Sequence, residues 1–169
     1  MRRNKKYLAG FSLIELMVVI AIIGLLSSLV LATLASARKK SRETKRKADL
    51  VQLGKALELY YNANNGYPTT ASVWFGTSAN GGSKTTSGAT AYIPGLTPTY
   101  LGNLPLDPLK ATTGWSGYNY KSDGTSYKLI LSDVGPESFP ASTEPFYDPI
   151  RPTTAWMICA GTQTACTTW

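Results

Sequence analysis

One carboxylate lies where an acid is least expected, at the edge of a long apolar run. Glu15 immediately precedes residues 16–31, none of which is charged. An ionised carboxylate deep in a bilayer costs roughly 2.5 to 3.5 kcal/mol on insertion scales, so such an acid needs a positively charged partner. The N-terminal end of a helix supplies only about 0.3 to 1 kcal/mol of that stabilisation. The position therefore predicts ion pairing with an amine from outside the helix, such as the α-amino group of a second copy.

Other reactive combinations of residues are missing from the sequence. The chain contains no histidine, which removes the commonest general base and the usual zinc sites. It also contains no phosphate-binding glycine loop, no serine nucleophile elbow and no visible pairing of carboxylates. We therefore predict no catalytic residues, no metal site, and a protein that is not an enzyme.

The two cysteines, Cys159 and Cys166, lie close together near the end of the sequence. Their spacing is not that of a C-x-x-C redox or zinc pair. In an oxidising compartment they predict a disulfide across a short terminal hairpin, worth roughly 2 to 3 kcal/mol by chain-entropy arguments. Two buried free thiols are the alternative.

The element that positions Glu15 is predicted to be one long helix. At about 1.5 Å per residue, a helix over residues 11–37 is long enough to cross the roughly 30 Å hydrocarbon core of a bilayer. Residues 38–47 contain no helix breaker, and beyond them bulky apolar residues recur at helical spacing: Leu50, Leu53, Leu57 and Tyr60 or Tyr61. Asn64 ends this pattern, and we expect Gly66 to be the left-handed cap. The second half of the helix is therefore amphipathic.

The residues around Glu15 resemble those of a known family. A short basic leader ends at Gly10, and Phe11-Ser12-Leu13-Ile14-Glu15 leads into the aliphatic run, which is similar to the processing signal of type IV pilins and type II secretion pseudopilins. The resemblance implies that a prepilin peptidase cuts between Gly10 and Phe11 and methylates the new N-terminus at Phe11. It also implies that Glu15 attracts the N-terminal amine of a neighbouring subunit during filament assembly.

The resemblance further implies the partners and the location of the chain. The chain would form a helical homo-oligomeric filament, built by an assembly platform in the inner membrane, and its first helix would be surrounded by membrane lipid before assembly. It would cross the cytoplasmic membrane once with its N-terminus inside, and the filament would lie outside the cell or at its surface. A pilus, a secretion pseudopilus and a competence filament all remain open.

The basic residues do not settle the orientation. Residues 38–47 carry seven Lys and Arg against four in the leader, which opposes the positive-inside tendency. The orientation therefore follows from the resemblance and from the cysteines. The basic stretch is expected to contact anionic headgroups or acidic groups of a neighbour, or to be a solvated helical face, and contact with DNA is the least favoured alternative.

Two other interpretations of the N-terminus remain open. Ala35-Ser36-Ala37 resembles the cleavage site of a secretory signal peptide, although the apolar core of such peptides usually has about 7 to 15 residues. An uncleaved signal anchor is the second. Under either interpretation the chain would be a monomeric binding domain, secreted or anchored in the membrane. The acid at Glu15 favours the pilin interpretation.

The predicted fold class is α+β and pilin-like, with a long N-terminal helix, half transmembrane and half amphipathic, packed on a small antiparallel sheet. The boundaries are a cleaved leader at 1–10, a membrane or filament-core helix at 11–37, its amphipathic continuation at 38–65 and a β-rich head at 66–169. Within the head, residues 118–131 predict a hairpin around an Asp123-Gly124 turn. Residues 69–91 predict a long surface excursion with a flexible tip at residues 80–83, and the chain is expected to end in a hairpin closed by the disulfide.

The net charge of +7 lies outside the head, because residues 64–169 contain five basic and six acidic side chains. Binding of nucleic acid is therefore not expected. Some pseudopilins bind calcium in a loop that corresponds to residues 134–152, which here contains five prolines and several acids. No spacing in this loop assigns calcium ligands, so we predict no cofactor, with calcium as the alternative.

Overall fold

The computed structural model describes residues 11–110, 113–133 and 138–169 of the chain. Its helices and strands are α1 (Leu13–Asn64), β1 (Phe75–Gly76), β2 (Gly117–Ser122), β3 (Tyr127–Ser132), β4 (Ala155–Ala160) and α2 (Gln163–Thr168), with a short 3-10 helix at Gly88–Thr90. The chain forms two compact units, Met1–Ser41 and Arg42–Trp169. The α+β class with one long N-terminal helix is confirmed.

Within the first unit, α1 presents an apolar surface. Among the described residues, α1 is the one helix long and apolar enough to cross a membrane, and its most apolar stretch buries nothing within the structure. The helix begins at Leu13 rather than at Phe11, because Ser12 takes the N-cap position. Since a helix satisfies its backbone hydrogen bonds internally, a lipid environment or neighbouring helices can cover this surface without a polar penalty.

In the second unit, the last part of α1 packs on an antiparallel sheet with the strand order β1-β2-β3-β4. In the β2–β3 register, Tyr118 is opposite Leu131 and Tyr120 is opposite Leu129. Alternate residues of each strand point to one face, where they meet the apolar face of the helix. This core includes Leu50, Leu53, Leu57, Tyr92, Tyr118, Tyr120, Leu129, Leu131 and Trp156.

The predicted hairpin is confirmed, and its turn is held by Asp123. The carboxylate oxygen Oδ1 of Asp123 accepts the backbone N–H groups of Thr125 at 2.8 Å and Ser126 at 2.7 Å. Gly124 has a φ of +95°, which a side chain rarely adopts. The turn therefore depends on the Asp-Gly pair that the sequence indicated.

The left-handed residue that ends α1 is Asn65 and not, as the sequence predicted, Gly66. Asn65, with a φ of +55°, is the left-handed residue, and Asn tolerates this conformation better than most residues. Gly66 is required for a different reason: a Cβ there would lie 3.0 Å from the carbonyl oxygen of Gly124. Gly66 thus lets the helix end approach the hairpin turn closely.

The surface excursion predicted for residues 69–91 is largely exposed, but it contains a short strand that the sequence did not indicate. This segment contains β1, in which Phe75 pairs with Tyr120 and Gly76 with Asn119. A Cβ at Gly76 would overlap the side chain of Asn119, so the pairing depends on glycine. The segment extends the sheet by one strand.

The predicted C-terminal hairpin is wrong, because β4 is followed by the helix α2 and not by a fifth strand. The threonine-rich sequence favoured a strand by its β-branched side chains. In the structure, Thr167 Oγ1 donates to the carbonyl oxygen of Gln163 at 3.0 Å and Thr168 Oγ1 donates to that of Thr164 at 2.7 Å. These side-chain bonds are compatible with a helix, and the buried Ala165 packs it on the head.

Burial raises the pKa of five tyrosines in the head: Tyr67, Tyr92, Tyr118, Tyr120 and Tyr127. For Tyr67 the pKa rises from 10.0 to about 12. A phenol whose pKa is higher in the folded than in the unfolded chain stabilises the fold. This contribution is complete at pH values below the pKa of the unfolded chain, and it is lost as the pH rises through the pKa of the folded chain. We therefore expect the head to lose stability above about pH 10.

The measurement is phenolate absorbance and circular dichroism along the same alkaline titration. We expect the phenolate signal to rise in two steps, the second coinciding with unfolding. Ionisation of these five tyrosines in a head that keeps its circular dichroism would contradict this expectation.

Candidate assembly site

The N-terminus of α1 is closed by a capping box formed by Ser12 and Glu15. The backbone N–H of Ser12 donates to Glu15 Oε2 at 2.9 Å, and the backbone N–H of Glu15 donates to Ser12 Oγ at 3.2 Å. This reciprocal pair satisfies two backbone N–H groups that have no acceptor within the helix. The sequence interpretation missed Ser12, although Ser-x-x-Glu before an apolar run is the signature of this motif.

The capping box directs the carboxylate of Glu15 towards the N-terminal end of the helix. The bond to Ser12 uses Oε2, and a carboxylate has a second oxygen and further acceptor sites. The positive end of the helix dipole also favours a negative charge there. Phe11, which is 90% exposed, is the next residue beyond the cap. This helix end can therefore accept a positively charged group from another molecule. Gly10 lies outside the described residues.

Polar residues inside the apolar stretch are satisfied locally. Ser28 Oγ donates to the carbonyl oxygen of Leu25 at 2.8 Å, and Thr33 Oγ1 donates to that of Val30 at 2.9 Å. Gly24 would place an added Cβ in open space, so its backbone is accessible to a neighbouring helix. The stretch can be surrounded by lipid or by other helices at little polar cost.

The basic stretch contains one residue that does not face solvent or lipid. Arg46 is buried, and its Nε and Nη2 donate to Asp107 Oδ2 at 2.6 Å and Oδ1 at 3.0 Å. One turn away, Asp49 Oδ2 accepts the hydroxyl of Tyr118 at 2.9 Å. Burial raises the pKa of Asp49, and the hydrogen bond from Tyr118 opposes that shift. Arg46 therefore contributes to the head and not to a surface patch.

The predicted disulfide is confirmed. Cys159 and Cys166 are bonded, with their Cα atoms 5.6 Å apart. The bond joins the end of β4 to α2.

Comparison with known proteins agrees with this geometry. Residues 5–31 match a family model described as the prokaryotic N-terminal methylation motif. Over 136 residues the chain is 33% identical to the type II secretion system core protein G of Pectobacterium carotovorum subsp. carotovorum, with 80% of each chain covered. The chain belongs to the type II secretion core protein G family. It is also 34% identical to the core protein G of Klebsiella pneumoniae, covering 80% of this chain and 89% of that relative. No solved structure matches the chain.

Members of the core protein G family are major pseudopilins, structural filament subunits and not enzymes. The resemblance drawn from Gly10, Phe11 and Glu15 is thereby confirmed at the level of the family. The methylation motif covers all three residues. The cleavage, the methylation and the pairing assigned to them stay predictions.

Proposed function

We propose that the chain is a structural subunit of a type II secretion pseudopilus. The supporting observation is the N-terminal end of α1, where Glu15 of the capping box and the exposed Phe11 precede an apolar helix surface. The chain that carries this arrangement belongs to the core protein G family. In this proposal a prepilin peptidase cuts between Gly10 and Phe11 and methylates Phe11. The subunit then passes from lipid into a helical filament of its own copies.

Assembly follows from the cost of isolated charges in lipid. After cleavage each subunit carries an ammonium group at Phe11 and a carboxylate at Glu15, and each costs roughly 2.5 to 3.5 kcal/mol when unpaired at the bilayer centre. Methylation leaves the amine positively charged. Pairing the amine of one subunit with Glu15 of the next neutralises both charges, and it fixes the longitudinal stagger of two otherwise uniform apolar helices.

The proposal also specifies the surroundings of the subunit. Before assembly the helix crosses the cytoplasmic membrane once with its N-terminus inside, and an inner-membrane assembly platform takes the subunit from lipid into the filament. The filament grows away from the cytoplasm. The nearly balanced charge of the head supports contacts with protein and not with nucleic acid.

Mass spectrometry of the mature N-terminus tests this proposal. We expect a peptide that begins at methylated Phe11 when the chain is produced with a prepilin peptidase, and a chain that keeps Met1 when the peptidase is missing. A mature chain beginning at Arg38 would indicate secretory cleavage. A chain that keeps Met1 beside an active peptidase would indicate an anchor. Either result would overturn the proposal.

A further inference from the structure

Three oxygen atoms converge on one buried ammonium group at the sheet face opposite α1. Lys128 on β3 has no exposed surface. Its Nζ donates to Asp148 Oδ1 at 2.9 Å, to the backbone oxygen of Cys166 at 3.2 Å and to that of Trp169 at 2.9 Å. A lysine ammonium has three donors, so its hydrogen-bonding capacity is fully used.

A second cation, Arg151, shares the backbone oxygen of Trp169 with Lys128 and binds the other carboxylate oxygen of Asp148. Arg151 Nη1 donates to Asp148 Oδ2 at 3.3 Å and to the backbone oxygen of Trp169 at 3.1 Å. The backbone N–H of Ile150 donates to Asp148 Oδ1 at 3.0 Å. Both oxygens of this buried carboxylate therefore already accept hydrogen bonds from the protein.

We propose that the ammonium group of Lys128 takes the structural role of a bound divalent cation in this head. The head then folds, and its C-terminal segment stays packed on the sheet, without calcium. Lys128 binds one side-chain carboxylate and two backbone oxygens, which lie 20 to 41 residues away in the sequence. It thereby fixes the proline-rich loop at Asp148 and the helix α2 at Cys166 onto the sheet.

The donor set does not fit calcium. Calcium takes about six to eight oxygen ligands, whereas the oxygens that bind Lys128 come from one side-chain carboxylate and two backbone groups. A calcium ion here would lie beside Lys128 and Arg151, with Asp148 as the single negative charge among these three side chains. Elsewhere in the described part of the chain, no group of three or more His, Cys, Asp or Glu residues is arranged to hold a metal ion.

Burying the ammonium group of Lys128 costs desolvation free energy, which Asp148 offsets. Burial lowers the pKa of Lys128, and the hydrogen bond and the charge of Asp148 oppose that effect. Removing one member of a buried ion pair leaves the other charge buried without compensation, and this lowers the stability of the fold. This coupling between strand, loop and helix is what a structural metal ion provides in other small domains.

Thermal unfolding of the mature chain in detergent tests the proposal. For the unmodified chain we expect the same melting temperature with millimolar calcium and with EDTA. Lys128→Met keeps the length of the side chain and removes the charge, so we expect its melting temperature to fall by about 10 °C in both buffers. The matched control is Lys121→Met, which replaces the lysine directly opposite Lys128 in the sheet.

The control is informative because Lys121 is half-buried and its Nζ lies over two aromatic rings, 4.9 Å from the centroid of Trp169 and 5.8 Å from that of Trp74. We expect a shift of only a few degrees for this variant. A melting temperature of the unmodified chain that rises by several degrees with calcium would overturn the proposal. So would equal losses for Lys128→Met and Lys121→Met. If Lys128→Met does not fold, the calcium comparison on the unmodified chain still decides.

Discussion

Replacing Glu15 by glutamine abolishes filament formation and leaves cleavage after Gly10 intact. Glutamine keeps the size of the side chain but cannot neutralise an ammonium group. The amine of the adjacent subunit then stays unpaired, at roughly 2.5 to 3.5 kcal/mol. At about 1.4 kcal/mol per factor of ten, each addition of a subunit becomes roughly a hundredfold less favourable. The loss applies at every step of growth, so no long filament remains.

The measurement is the amount of protein in a sheared filament fraction, combined with electron microscopy. Ser12→Ala is a matched control, because it removes one hydrogen bond of the capping box and keeps the carboxylate of Glu15. Loss of an N-cap costs about 0.5 to 2 kcal/mol of helix stability, so we expect shorter or fewer filaments from this variant. Normal filaments from Glu15→Gln would contradict the pairing role.

Removing the carboxylate of Asp107 destabilises the head by about 3 to 5 kcal/mol, because the buried guanidinium of Arg46 loses a carboxylate that accepts two of its hydrogen bonds. Arg46 has no exposed surface, and its two bonds to Asp107 join α1 to the loop before β2. The expected result is that Asp107→Ala unfolds at a markedly lower urea concentration than the unmodified chain.

Lys45→Met is the matched control for that prediction. Lys45 is the residue before Arg46, its side chain is 55% exposed, and its Nζ lies 3.9 Å from Asp49 Oδ2. An exposed pair of this kind contributes at most about 1 kcal/mol. Equal decreases in the free energy of unfolding for Asp107→Ala and Lys45→Met would show that the buried pair stabilises the head no more than the exposed one. A double variant, Arg46→Met with Asp107→Leu, should recover much of the stability, because it leaves no buried charge behind.

The features that the sequence predicted are those with a local cause. The long helix follows from apolar residues at helical spacing and from the lack of breakers. The hairpin follows from aromatic strands around Asp123-Gly124. Glu15 was identified because an acid beside an apolar run is costly wherever the chain folds, and the disulfide because two nearby cysteines have few other uses.

The features that it did not predict depend on residues far apart in the chain. β1 has two residues and forms because β2 offers an edge to pair with. Nothing local marks Lys128 as a buried ion-pair residue, because its partners lie 20 to 41 residues further along the chain. Arg46 stands among six other basic residues of the same stretch, and nothing local marks it as the one that is buried. Burial of a charge is decided by tertiary packing, which a local pattern does not contain.

A high-resolution electron cryomicroscopy map of the assembled filament measures the decisive distance, between the nitrogen of Phe11 in one subunit and the carboxylate of Glu15 in another. We predict a separation of at most about 4 Å, the usual limit for an ion pair. A filament in which the amine of Phe11 pairs with the Glu15 of its own chain, or in which the two groups of neighbouring chains lie well apart, would contradict assembly by charge neutralisation between copies.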